Sequence, residues 1–125
     1  ASERRAQFVA KASAAVASSL DHREALRGIA SDAVPLFADW AEVCFEPTKP
    51  VVLDAFDTGK AAITAGGSAL SAPVVVDGVV AAAVVFGVTG SKRFGDLDVK
   101  AAEEVTRRAA AFVSAIAAAV AGEIS

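Results

Sequence analysis

Cys44 is the only cysteine and His22 the only histidine in this chain of 125 residues, so few side chains could do nucleophilic or acid–base chemistry near neutral pH. A lone thiol excludes an internal disulfide. It falls inside the alternating stretch DWAEVCFE (39–46), where a small core residue is expected before a redox centre. His22 opens a periodic run just after Asp21 and reads as a solvated residue in the first turn of a helix. Asp54 and Asp57 stand three apart and could in principle share acid–base work, but within VVLDAFDTG (51–59) they fit turn and cap positions. GVTGSK (87–92) lacks the Gly-Lys-Ser/Thr end that opens a helix in a phosphate-binding loop. AGGS (65–68) could offer amides to an anion and reads more simply as a strand connector. No Ser/His/Asp arrangement is supported by the chain order. The expectation is a protein that is not an enzyme, with no metal and no cofactor.

Composition narrows the class further. With 54% apolar and 22% charged residues, the chain can build one core, and a single domain spanning 1–125 is expected. A net charge of -3 removes the clustered Lys and Arg that a nucleic-acid binder needs, and SKR (91–93) is a small solvated cluster. No apolar run reaches the roughly 18–20 residues that span a bilayer, because Asp77, Lys92 and Arg93 interrupt the longest one. The first 20 residues are spaced for an amphipathic helix and lack a continuous signal-peptide core, so a cytoplasmic location is expected.

The elements that must position these residues follow from patterning. Over about 3–19, Val9, Ala12, Val16 and Leu20 fall near one stripe and leave Arg4, Arg5 and Lys11 to water, which predicts a first helix. Asp21 and Glu24 form a capping-box-like start to a second helix, which buries Leu26, Ile29, Ala30, Val34 and Phe37. Pro35 ends that helix near 34. In 39–46, Ala41, Val43 and Phe45 face one way and Trp40, Glu42, Cys44 and Glu46 the other, a strand with one wet or functional face. VVLDAFDTG is a short helix or turn ending at Gly59, and a strand is expected over 60–64. APVVVDGVVAAAVVFG (72–87) is apolar on consecutive positions, so both its faces must be covered. Asp77-Gly78 breaks it into a two-residue hairpin with arms Leu70–Val76 and Val79–Val88. Asp96 caps a long helix over about 97–121, with Val105, Ala109, Phe112, Ile116 and Ala119 spaced four, three, four, three. The terminal helices bracket the sheet and are expected side by side on one of its faces.

In this order the stretches SLDHREALRGIASDAVPLFADWAEVCF, DTGKAAI, LSAPVVVDGVVAAAVVFGV and RFGDLDVKAAEEVTRRAAAFVSAIAAA resemble a GAF domain, of the kind found in bacterial multidomain signalling proteins. They supply an Ala-Asp-Trp step into the first strand, a Gly turn, a central hairpin, an aromatic before an Asp-capped helix, and a long final helix. The resemblance covers nearly the whole chain. It implies a PAS-related α+β fold with a central antiparallel sheet of four to six strands over about 39–88. The terminal helices would pack on one face, and short helices, loops and any ligand would lie on the other. Between Phe45 and Gly59 the chain has only about a dozen residues, where the family usually has another strand and a longer helical lid. Specialised members need residues that are missing here: an Asn-containing constellation for cyclic nucleotides, several cysteines for methionine sulfoxide reduction, an outer-loop cysteine for bilin attachment, or an axial ligand for haem.

Two functions of different kind follow from the resemblance and the patterning. One is a dimerisation and signal-transmission module working through the Ala-rich terminal helices, with Val9, Val16, Phe112 and Ile116 at the interface of a homodimer. The alternative is a sensor that binds a small molecule on the sheet face opposite those helices, at Trp40, Cys44 and Phe56. Trp40 fits an anchor at the sheet edge equally, and Phe56 a plug in the pocket floor. Helices at both ends fit a segment of a longer signalling chain as well as a free-standing protein.

Overall fold

The computed structural model describes residues 2–18 and 21–124, with side chains except at positions 2, 15–18, 22, 65 and 116–124. Its elements are α1 (Ser2–Ser18), α2 (His22–Ala33), β1 (Trp40–Cys44), α3 (Pro50–Thr58), β2 (Ala62–Thr64), β3 (Ala69–Val76), β4 (Val79–Gly87) and α4 (Asp96–Ile124), with a single 3-10 turn at Ala65–Gly67. The fold is α+β. Four strands form an open antiparallel sheet in the order β1-β4-β3-β2, the low end of the expected range.

Local chemistry sets the boundaries. The Asp21 carboxylate accepts the Glu24 N–H at 2.8 Å, which satisfies one of the free donors at the start of α2. Gly59 closes α3 in the left-handed conformation, its N–H donating to Ala55 O. Asp77 and Gly78 both have positive φ, 52° and 79°, as a tight hairpin between β3 and β4 requires. Pro73 sits in β3 just beyond Ser71, the last residue that β2 pairs. The missing N–H therefore falls where the strand has become a sheet edge.

β4 has two buried faces, and they build two cores. Ala82, Val84 and Phe86, with Leu70, Ala72 and Val74 of β3, face a large core shared with α1, α2 and α4. Ala83 and Val85 face a small core with Cys44 and with Val52 and Ala55 of α3. β1 obeys the expected alternation: Ala41, Val43 and Phe45 pack on the large core and Cys44 in the small one. α1 and α4 run parallel and side by side, tied by Arg5–Asp98 at 3.2 Å near their starts and by Arg108 to Ser13 Oγ at 2.6 Å further along. α1 reaches the sheet through Phe8, whose ring stacks on Phe37 at 4.6 Å and meets Phe86 edge-on at 5.7 Å.

Three expectations change. Phe8, outside the expected stripe, is the fully buried anchor of α1 together with Ala12, while Val9 is half-buried; the largest side chain takes the core position because it removes the most apolar surface from water. Val34, expected in the core, is 40% exposed, because α2 ends at Ala33 and Val34 is already extended. The cap of α4 is Gly95, whose carbonyl accepts the Asp98 and Val99 N–H groups. Asp98, in place of Asp96, reaches back to accept the Gly95 N–H at 2.8 Å. Leu20 and the side chains of Val16, Ile116 and Ala119, expected on the helical stripes, lie outside the described residues.

Candidate functional site

The sheet face away from the terminal helices carries the residues expected to bind a ligand. β1 turns Trp40 and Cys44 to this face, and α3 lays Phe56 across it. Cys44 and Phe56 do come together, in the small core of Val52, Ala55, Ala83 and Val85. Trp40 stands at the other end of β1, roughly 13 Å from Cys44 at the rise of a strand. It is paired with Gly87 and 42% exposed. A Cβ at Gly87 would lie 1.9 Å from the Trp40 ring, so the indole rests on bare backbone that only glycine provides. Trp40 is a half-exposed plate over the sheet edge and not a fully buried anchor.

The middle of this face holds a feature that sequence reasoning missed. Ser71 is fully buried, and its Oγ has no hydrogen-bond partner; the Thr64 Oγ1 is likewise buried and unpartnered. Ser71 pairs with Ala62 and Val85, and Thr64 with Ala69, so the two hydroxyls lie on neighbouring strands of the same face. A buried hydroxyl without a partner costs about 1–3 kcal/mol. Serine and threonine in an otherwise apolar hairpin segment were the only available signal, and β-propensity alone makes threonine unremarkable there.

Near Cys44 the surface dips into a cavity of about 340 Å³ at the outer edge of β1, lined by Arg23, Glu42, Phe45 and Lys49 among others. Lys49 Nζ donates to both Glu42 oxygens, at 2.7 and 2.9 Å, and this raises the lysine pKa. The Arg23 guanidinium sits 4.3 Å over the Phe45 ring. Burial pushes the Cys44 thiol pKa up, with the Glu42 charge adding to the effect, so the thiolate is scarce at neutral pH. That is the opposite of an activated nucleophile. Asp54 and Asp57 are exposed and lie within α3, not at its caps, which are Lys49 and Gly59; the short helix takes the place of the expected turn. Among the described residues no group of three His, Cys, Asp or Glu side chains could hold a metal ion, and no helix is long and apolar enough to cross a membrane.

Of the residues expected at a dimer interface, Val9 and Phe112 are half-buried against the large core and each leaves part of its surface outward. No protein-family model matches the chain, and no curated protein matches it either.

Proposed function

We propose that the chain is a GAF-like, non-catalytic regulatory domain that pairs with a second copy of itself through α1 and α4 and transmits signals along those helices in a cytoplasmic signalling protein. One observation carries the reading: α4, at 29 residues, is longer than the strand and the helix it lies against. Its 29 residues extend about 44 Å, against about 30 Å for the nine-residue β4. The Arg5–Asp98 and Ser13–Arg108 contacts set the register of the two helices, and by that register α1 at Ser18 is level with about residue 113 of α4. From 113 to 124 the helix continues as VSAIAAAVAGEI, with one charged residue. A helix so apolar needs a second surface, and the small residues let a symmetric copy approach closely to form a four-helix bundle. Native mass spectrometry tests it. The parent should weigh as a dimer and Ile116→Glu as a monomer with unchanged circular dichroism; a monomeric parent ends the proposal.

A second reading, a small-molecule sensor on the opposite face, is favoured by the two orphan hydroxyls. Ser71 and Thr64 would hydrogen-bond a compact polar ligand held between the sheet and α3, with Phe56 and Cys44 as its apolar wall. The same spectra decide it. A reproducible extra mass that Cys44→Trp abolishes supports the sensor, and a bare mass removes it.

A further inference from the structure

A different site lies at the starts of α1 and α4, far along α4 from Phe112. Here a cavity of about 230 Å³ opens between α1, the segment after α2 and the loop after β4. Its floor is apolar: Leu36, Phe37 and Phe94, with the two rings 5.7 Å apart. Its rim carries Arg4, Arg5, Lys92 and Arg93 against a single carboxylate, Asp98. In a chain of net charge -3 with 12 basic residues, this gathers a third of the cations at one place.

The carboxylates at hand are already committed. Asp98 pairs with Arg5 at 3.2 Å and also accepts the Gly95 N–H. Asp39 accepts from the Thr89 N–H, the Thr89 hydroxyl and Lys92. Among the described residues, Arg4 and Arg93 have no carboxylate partner. Arg93 is nonetheless held in place. Its guanidinium donates to the carbonyls of Gly90 and Lys92, and its stem lies on Gly67, where a Cβ would come within 2.8 Å of Cδ. Two carbonyls leave donors of the planar fork unused. Fixed guanidinium donors above an aromatic floor, with little opposing charge, are what a planar organic anion needs: a bidentate partner for its charged end and ring faces for its body.

We infer that this pocket binds a small aromatic carboxylate, with Arg93 and Arg4 on the carboxylate and the ring on Phe37 and Phe94. The volume admits a single ring and not a nucleotide. The site does not depend on pairing through the far half of α4, so either idea can fail alone.

The test is an amide ¹H–¹⁵N titration of the parent protein with benzoate, benzamide and inorganic phosphate. Benzoate should give saturable shifts at Val88, Lys92 and Phe94, and it should bind at least about tenfold tighter than benzamide or phosphate, the loss expected when a charge-assisted hydrogen bond or the ring contact is removed. Arg93→Gln and Arg4→Gln should each weaken benzoate about tenfold, while Lys100→Gln, an exposed cation of α4 outside the pocket, should leave it unchanged. Absence of saturable shifts overturns the assignment. So does benzamide binding equally, which would mean an apolar slot; phosphate binding equally, which would mean a bare cation cluster; or an equal loss in Lys100→Gln, which would mean diffuse charge. The ligand comparison on the parent stands even if an arginine variant fails to fold.

Discussion

On the helical face of β4, Val84 and Phe86 share a core with Leu26, Ile29 and Phe8 under three helices, whereas on its other face Ala83 and Val85 share one with Val52, Ala55 and Cys44 under the nine-residue α3. The first core is knit by aromatic contacts among Phe8, Phe37, Phe86 and Phe94 at centroid separations of 4.6 to 5.7 Å. The second is built on small buried side chains with Phe56 at its margin, and the same face of the sheet carries two buried hydroxyls without partners. Alternation along one strand has thus divided labour between its faces. One supplies the apolar burial that makes a domain of this size stable, and the other is thinly covered and so the cheaper to open.

The sharpest way to break this contrast is to truncate each face in turn. Phe86→Ala should cost about 3–5 kcal/mol in urea denaturation, because a fully buried ring with two aromatic neighbours, Phe8 and Phe37, leaves a cavity the helices cannot close. A loss below about 2 kcal/mol would show that the aromatic cluster is not the dominant core. Gly87→Ala comes next, at about 1–3 kcal/mol. The new methyl must displace the Trp40 ring, and the single tryptophan reports it directly as a red-shifted emission. Unchanged fluorescence would mean that Trp40 does not rest on Gly87.

Ser71→Ala tests the thin face from the opposite side and should have a smaller effect, between neutral and about 1 kcal/mol stabilising, since it removes a buried donor that satisfies nothing. Destabilisation by more than about 1 kcal/mol would mean that the hydroxyl has a partner, and would favour a bound water or ligand on this face.

Much of the layout was legible because it follows from rules with a short reach. The hairpin at Asp77-Gly78, the Asp21 cap, the Gly59 stop and the in-and-out alternation of β1 each depend on a few neighbouring residues, and each was found where the pattern put it. What escaped depends on partners distant in sequence. Phe8 could be recognised as an anchor only once Phe37 and Phe86 were brought to it, 29 and 78 residues on. Gly87 matters because Trp40, 47 residues earlier, is its cross-strand pair. The cationic pocket joins residues 4 and 5 to 92 and 93, and in sequence those four cations are two unremarkable solvated clusters. For the candidate ligand face, parity correctly put Trp40 and Cys44 on one side, yet it could not show that α3 brings Phe56 to Cys44 and not to Trp40.

Cys44 gives the finest reading of the contrast, with the smallest energetic effect. Its thiol is nearly buried under α3, and burial with the Glu42 charge raises its pKa, so the folded state holds the proton more tightly than the unfolded chain does. The stability this contributes is complete below the ordinary thiol value near 9.0 and is lost as the pH rises through the raised one, a slight decline on the alkaline side. The kinetic consequence is more telling. If α3 opens on its own, iodoacetamide should label Cys44 at a rate that hardly changes with low urea concentrations, because local opening exposes little new surface. Labelling should quicken with urea only when global unfolding takes over. A rate that climbs steeply from the first additions of urea would show that Cys44 is reached only through global unfolding, and that the two faces open as one cooperative unit despite the difference in their packing.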